Sequence, residues 1–125
     1  MAKIMTIATE QETYTIDAAG RTLGRVASEA AHALMGKRSA KFARHIAHPI
    51  KVVVENAGKL YISERRAKGK IYQRYSGYPG GQYETSMKEV LEKKGAAEVL
   101  TKTIDGMIPR NKLRKLRMKN LVVKN

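Results

Sequence analysis

The run PIKVVVEN at residues 49–56 constrains the fold more than any other part of the chain. Consecutive β-branched residues favour an extended backbone, and a continuous apolar run is typical of a buried strand. Upstream, YTID at residues 14–17 predicts a second short strand, with Ile16 on one face. Two strands separated by a helical pattern indicate an α/β fold.

The residues between these two strands have helical periodicity. Thr22 is placed to cap the helix at its start, and Gly36 is placed to end it. The alanines on this apolar stripe indicate that the helix approaches a sheet closely. The stripe consists of Leu23, Val26, Ala27, Ala30, Ala31 and Leu34.

After the central strand, the pattern stays extended apart from one turn. KLYIS (59–63) predicts a short strand, or a turn followed by a strand. ERRAKGK (64–70) predicts a charged turn, and KIYQRYS (70–76) predicts a further strand. That last segment leads into a run rich in glycine and tyrosine.

From residue 86 onward the pattern is helical. Ser86 and Glu89 form an S-x-x-E capping box, which marks the start of a helix that Gly95 ends. A second helix follows, and Pro109 occupies the first position of a third. The stripe of the second helix is formed by Ala97, Leu100, Ile104 and Met107.

The run NLVVKN at residues 120–125 predicts a short closing strand. The order of these elements predicts a single α/β domain over residues 13–125 with a basic helical C-terminal region. Residues 1–12 show no clear period and are expected to form a flexible arm.

Charge is the compositional outlier, because 25 basic residues against 11 acidic ones give a formal net charge of +14. A compact domain with this self-repulsion is expected to bind a polyanion. The surplus lies in three acid-free tracts at residues 37–51, 65–75 and 110–125, whereas a merely soluble surface mixes both signs. Nucleic acid is the expected partner, and an anionic membrane surface is the second candidate.

The helix after Pro109 carries basic residues around most of its circumference. This distribution suits a helix embedded among phosphates on several sides. A helix that reads DNA bases usually belongs to a compact helix-turn-helix or zinc-finger unit. The composition therefore favours structured RNA over DNA.

Several classes of function lack the residues that they require. The chain has no cysteine, which excludes disulfides, cysteine-based zinc sites and thiol catalysis. His45 and His48 have a spacing that zinc accepts, but no third ligand is evident nearby. Asp17 and Glu55 close two predicted strands, where structural pairing is the favoured interpretation over acid/base catalysis.

No P-loop, dinucleotide fingerprint or nucleophile elbow is present. No apolar run approaches the length that a bilayer requires. We therefore predict no catalytic residues, no cofactor, no metal, no small-molecule substrate, no membrane association and a cytoplasmic location.

The run RYSGYPGG at residues 74–81 leaves two interpretations open. Its glycines permit positive φ and close backbone approach, and the Tyr78–Pro79 bond has an appreciable chance of being cis. Exposed N–H groups would cradle phosphates while Tyr75 and Tyr78 stack on bases or donate to phosphates. Alternatively, the run is a tight structural turn with both tyrosines packed on the domain.

Five motifs follow one another along residues 14–123. They are IDAAGRTLGRVAS (16–28), MGKRSAKF (35–42), VVVENAGKL (52–60), IYQRYSGYPGG (71–81) and GMIPRNKL (106–113). Together and in this order, they resemble the bacterial-type large-ribosomal-subunit protein thirteen family.

The resemblance implies a three-layer α/β/α fold with a small, mainly parallel, four-stranded sheet. It implies a structural component of the large ribosomal subunit that binds large-subunit rRNA beside neighbouring ribosomal proteins and joins early in assembly. It implies no enzymatic activity. The alternatives are a regulator that binds messenger RNA off the ribosome and, less favoured, an RNA-modifying enzyme.

The candidate rRNA-binding residues combine positions that match the family motifs with further members of the basic tracts and the glycine-rich run. They are Arg21, Arg25, Lys37, Arg38, Lys41, Arg44, Lys70, Arg74, Tyr75, Ser76, Gly77, Tyr78, Pro79, Gly80, Gly81, Arg110, Asn111, Lys112, Arg114, Lys115, Arg117 and Lys119.

Overall fold

The computed structural model describes residues 12–38, 40, 42–46 and 49–125. The predicted arm lies outside this part of the chain, except for Glu12, which begins the first strand. The elements are β1 (Glu12–Asp17), α1 (Leu23–Leu34), β2 (Ile50–Glu55), α2 (Glu64–Gly69), β3 (Ile71–Tyr75), β4 (Gln82–Ser86), α3 (Met87–Lys93), α4 (Ala96–Met107), α5 (Leu113–Met118) and β5 (Leu121–Val123), with a 3-10 turn at Ala57–Lys59.

The β-branched run forms β2, the central strand of a parallel sheet with the order β1-β2-β5. In the register, Ile16 lies opposite Val54, and Val52 lies opposite Leu121. Val52, Val53 and Val54 are consecutive and all buried, so both faces of β2 are covered. The predictions of strands at YTID, at PIKVVVEN and near the C-terminus are confirmed.

The expectation of a four-stranded sheet is wrong, whereas the α/β class and the parallel sheet are confirmed. The KLYIS segment forms only an isolated bridge, in which Tyr61 pairs with Thr22. β3 pairs with β4 as a separate antiparallel hairpin. The described residues therefore form a three-stranded sheet and a hairpin, and the three-layer arrangement stays a prediction.

α1 packs its alanine-rich face against β2 and α4. Every residue of the predicted stripe is buried, which confirms the periodicity. Thr22 is the N-cap residue, but its side chain accepts no capping hydrogen bond, so that part of the prediction is wrong. The helix ends at Leu34, and Gly36 follows with φ of 81°, a conformation that favours glycine.

α3 begins where the capping box predicts. The Ser86 hydroxyl accepts a hydrogen bond from the Glu89 backbone N–H at 3.3 Å. Leu100 and Ile104 of α4 are fully buried, whereas Met107 at its end is exposed. These helices complete the core around α1 and β2.

Two later predictions are wrong in detail. The segment predicted as a charged turn forms α2, whose start is capped by Ser63 and which buries none of its residues. α5 begins at Leu113, so Pro109 precedes the helix instead of occupying its first position. The charged sequence does not indicate this short helix, because a helix that buries no residue lacks an apolar stripe.

The Ser86→Ala substitution is expected to lower the free energy of unfolding by about 1 kcal/mol, through loss of the cap. α3 contributes Met87 and Val90 to the core, so fraying of its first turn affects global stability. Ser63→Ala is the matched control, because α2 buries no residue and frays locally. Urea unfolding measures the free energy of unfolding of both variants. An equal decrease for Ser63→Ala would show that the effect of a cap does not depend on the core contacts of its helix.

Candidate nucleic-acid interface

A groove whose charged lining residues are basic except for Glu89 extends from the start of α1 to the β3–β4 hairpin. It consists of three depressions that share lining residues: Arg66 joins the first to the second, and Tyr72 and Lys102 join the second to the third. We call this surface the basic groove and define it by Arg25, Tyr61, Arg66, Lys70, Tyr72, Arg74, Lys93, Lys94 and Lys102.

The charge of the basic groove is nearly uncompensated. Glu89 is its only acidic residue within the described part of the chain. None of its basic side chains forms an ion pair with another described residue. The groove therefore presents a continuous positive surface to a polyanion.

Tyr72 lies at the middle of the basic groove. The Nζ atoms of Lys102 and Lys70 lie 4.8 Å and 5.9 Å from its ring centroid, where the ring face attracts cations. Burial raises the pKa of Tyr72, and its hydroxyl oxygen is buried without a hydrogen-bond partner among the described residues. The hydroxyl thus keeps its proton and remains an unused donor in a cationic setting.

The hairpin holds Arg74 at the end of the basic groove. Arg74 pairs with Tyr83 in the antiparallel register, and its guanidinium carbon lies 5.4 Å from the Tyr83 ring centroid. This cation–π contact orients the guanidinium without neutralising it, because the tyrosine carries no charge.

The loop at residues 76–81 closes the hairpin as a tight turn. The Ser76 N–H donates to the Gly81 carbonyl at 3.0 Å, and the Gly81 N–H donates to the Tyr78 carbonyl at 2.9 Å. The Tyr78–Pro79 bond is trans, since the described residues contain no cis peptide.

The glycines of this loop have two different roles. Gly77 and Gly80 have φ values of 89° and 74°, as predicted. Gly81 does not have a positive φ; instead, a Cβ there would collide with Ser76 Oγ and lie 2.9 Å from the Tyr78 carbonyl oxygen. Gly81 is therefore required for the close approach of the two ends of the turn.

Both tyrosines of the loop face solvent. Tyr75 is 68% exposed and Tyr78 is 74% exposed, so the interpretation that they pack on the domain is wrong. Within the described residues, the backbone N–H groups of Gly77, Tyr78 and Gly80 have no acceptor. The loop is thus a tight turn that also offers exposed rings and free donors.

Two predicted site residues are engaged in an ion-pair cluster on α1. Arg21 Nη2 lies 2.7 Å from Glu29 Oε2, and Arg38 Nη2 lies 3.2 Å from Glu29 Oε1. The hydrogen bond from Arg21, assisted by Arg38, lowers the pKa of Glu29. Arg38 also lies over the Tyr14 ring, with its guanidinium carbon 5.1 Å from the centroid.

A second basic region lies between the end of α1 and α5. Lys37, Arg44, Asn111 and Arg117 line a cavity of about 320 Å³, which we call the C-terminal cavity. Arg117 is only 2% exposed, so it does not lie on the open surface that its basic tract predicts.

The remaining basic residues of the C-terminal tract differ in their partners. Arg114 Nε lies 3.5 Å from Asp105 Oδ1. Arg110, Lys112, Lys115 and Lys119 are exposed and form no ion pair with other described residues. The predicted site residue Lys41 lies outside the described residues.

Sequence reasoning missed several members of the basic groove. Arg66 lies in the acid-free tract at residues 65–75, so the charge pattern of the sequence could have identified it. Lys93, Lys94 and Lys102 lie in segments that also contain acidic residues, so a search for acid-free tracts passes over them. Only the packing of α3 and α4 beside the hairpin makes these lysines part of one surface.

Asp17 accepts two hydrogen bonds that stabilise the end of β1. Its Oδ1 accepts hydrogen bonds from Asn56 Nδ2 and the Ala19 N–H, both at 3.0 Å, and the Asn56 bond is the main cause of its lowered pKa. In the register, Asp17 lies opposite Glu55, as predicted. These contacts support the structural interpretation of the strand-end carboxylates.

Within the described ranges, no three His, Cys, Asp or Glu side chains are grouped so that they could hold a metal ion. His48 lies outside those ranges. No helix in the same part of the chain combines the length and apolarity needed to cross a membrane.

The Glu29→Gln substitution is expected to lower the free energy of unfolding by about 0.5 kcal/mol near pH 7, because both pairs are partly exposed. The pKa of folded Glu29 is below its ordinary value of 4.5, so this stabilisation is present above pH 4.5. It is lost as the pH falls through the folded pKa.

Urea unfolding at a series of pH values tests this prediction. The difference between Glu29→Gln and wild type should vanish in acid, whereas the exposed Glu92→Gln control should differ little at any pH. A difference that persists unchanged in acid would show that the ion pairs are not its cause.

The family described as Ribosomal protein L13 matches residues 11–124. Proteins named Large ribosomal subunit protein uL13 are similar: that of Paraburkholderia phytofirmans is 42% identical over 90% of this chain and 79% of its own length. That of Desulfotalea psychrophila is 41% identical over 91% of this chain and 80% of its own length.

A third relative, from Rubrobacter xylanophilus, is 38% identical over 90% of this chain and 78% of its own length. The family match spans nearly all of the described fold, including the basic groove, the hairpin loop and the C-terminal cavity. The chain therefore belongs to the ribosomal protein L13 family, uL13.

Proposed function

We propose that this chain is a structural constituent of the large ribosomal subunit that binds large-subunit rRNA and supports early subunit assembly. Membership of the L13 family supports the ribosomal role. The basic groove is the observation that supports RNA binding by this particular chain, since its cations are continuous and have no ion-pair partner among the described residues. The protein acts as an architectural component without catalysis.

In this proposal, neutralisation of backbone phosphates supplies most of the binding free energy. Each basic side chain that meets a backbone phosphate releases condensed counterions, so affinity falls steeply with salt. The basic groove offers Arg25 and Arg66 at one end, Lys70 and Lys102 at the middle, and Arg74 with Lys93 and Lys94 at the other. Such contacts position the RNA and carry little sequence information.

The hairpin loop supplies a second kind of contact. Tyr75 and Tyr78 are exposed and suit stacking on unpaired bases. The free N–H groups of Gly77, Tyr78 and Gly80 suit a phosphate oxygen, because glycine leaves little steric shielding. Folded RNA presents unstacked bases and phosphates together, which a regular duplex does not.

The exposed basic residues of the C-terminal region extend this interface. Arg110, Lys112, Lys115 and Lys119 have no ion-pair partner among the described residues, and they are available to phosphates without loss of an existing bond. Neighbouring large-subunit proteins are the other proposed partners.

Sedimentation of cell extract tests the function itself. We expect the protein to sediment with large subunits and their assembly precursors. If most of the protein sediments away from large subunits and is bound to messenger RNA, the alternative of an off-ribosome regulator is correct.

Replacing Lys93, Lys94 and Lys102 together with Gln is expected to weaken rRNA binding. If each lysine neutralises one phosphate, the slope of log affinity against log salt becomes shallower by about 2 to 3. The triple variant Lys59, Lys88 and Lys124 to Gln removes the same charge outside the basic groove. Filter binding over a salt series measures both, and equal slope changes would show that the groove has no special role.

Gly81→Ala is expected to reduce incorporation into large subunits several-fold, because the added Cβ collides with the turn. Global stability should change little, because the loop is outside the hydrophobic core. Gly58→Ala is the control: its added Cβ meets no atom within 4 Å. Competition with wild type during subunit assembly, together with urea unfolding, measures both effects. Normal incorporation of Gly81→Ala would contradict the role of the loop.

A further inference from the structure

Arg117 is the only buried charged residue in the described part of the chain. Its Nη2 donates to the Ile46 carbonyl at 3.5 Å, at the long limit of a hydrogen bond. Its Nε is buried without any hydrogen-bond partner among the described residues. Arginine keeps its charge in proteins, so this guanidinium is a buried cation.

No carboxylate in the described ranges compensates this charge. The ion pairs among those residues use Arg21, Arg38 and Arg114, and none involves Arg117. The other charged residues that line the C-terminal cavity are Lys37 and Arg44, which are also cations. An uncompensated buried charge is strongly unfavourable, so the arrangement is electrostatically incomplete without an anion.

The remaining walls of the C-terminal cavity suit a phosphate group. Asn111 Oδ1 accepts the Leu113 N–H at 3.1 Å, which leaves the Asn111 amide N–H groups as donors. Met35 and Phe42 add apolar surface to the lining. The volume of about 320 Å³ is roughly ten times that of one water molecule, so a phosphate fits with some hydration.

We propose that the C-terminal cavity is an anion site that takes one phosphate group, held by Arg117 and Arg44 with Lys37 and Asn111. Guanidinium groups match phosphate oxygens in geometry and charge. In the assembled particle, the occupant is a single phosphodiester of the RNA backbone. This identification of the source rests on the proposed function, whereas the phosphate chemistry of the site does not.

The C-terminal cavity links binding to folding. It brings together the end of α1, the segment at residues 42–46 and α5. An anion that bridges these segments binds the folded state and not the unfolded chain, so it stabilises the fold by mass action.

The first experiment uses the full chain and inorganic phosphate as the probe. Thermal unfolding is measured in chloride and in increasing phosphate at matched ionic strength, for wild type, Arg117→Met and the exposed control Arg65→Met. Wild type and Arg65→Met should show a saturable rise in Tm with phosphate. Arg117→Met should bind phosphate at least about tenfold more weakly.

In chloride alone, Arg117→Met should be at least as stable as wild type, because the methionine removes an unpaired buried charge. Should Arg117→Met fail to fold, the Arg44→Gln and Asn111→Ala double variant serves as the test with the same expected loss of phosphate binding. A phosphate response equal in wild type and in these variants would overturn the proposal.

The second experiment identifies the source of the phosphate. The NMR signal of the Arg117 Nε–H is followed during titration with inorganic phosphate, dimethyl phosphate and a short oligouridylate. A saturable shift with all three supports a phosphodiester occupant. A shift with inorganic phosphate alone overturns the RNA assignment, and no shift with any probe overturns the anion site.

The two hypotheses fail in different ways. If Arg117 does not respond but the protein sediments with large subunits, the anion site is wrong and the ribosomal function stands. If Arg117 binds phosphate but the protein sediments with free proteins, the anion site stands and the ribosomal function is wrong.

Discussion

Parallel pairing of β2 with both β1 and β5 determines where the candidate functional residues lie. Parallel strands need long crossover connections, so the chain leaves the sheet twice. The first crossover contains α1, and the second runs from Glu55 to Leu121 and contains α2 to α5 with the hairpin. Every residue of the basic groove except Arg25 belongs to the second crossover, as do the hairpin loop and α5.

The two crossovers are joined at the first depression of the basic groove. The Tyr61 N–H donates to the Arg21 carbonyl at 2.9 Å, and the Gly20 N–H donates to the Lys59 carbonyl at 3.0 Å. These bonds hold the segment before α2 against the start of α1, so Arg25 and Arg66 line the same depression. The KLYIS segment therefore positions one end of the basic groove instead of extending the sheet.

The sequence predicts the elements whose signals are local. The β-branched run, the alanine stripe of α1 and the Ser86 capping box each carry their pattern within a few residues, and the structure confirms them. It does not predict the pairing of Glu29 with Arg38, nine residues away, or the gathering of Lys93, Lys94 and Lys102 beside the hairpin. Those features depend on which side chains the tertiary fold brings together, and no local period encodes them.

The few carboxylates of this chain divide its cations into two classes. Glu29 and Asp105 pair with Arg21, Arg38 and Arg114, so these arginines must share or exchange a partner before they bind a phosphate. Among the described residues, the basic groove and the C-terminal cavity have no such pairs, so their cations are available to a polyanion without that loss. The clustering of unpaired cations there, more than the net charge, therefore distinguishes the candidate RNA-binding surfaces from the rest of a basic protein.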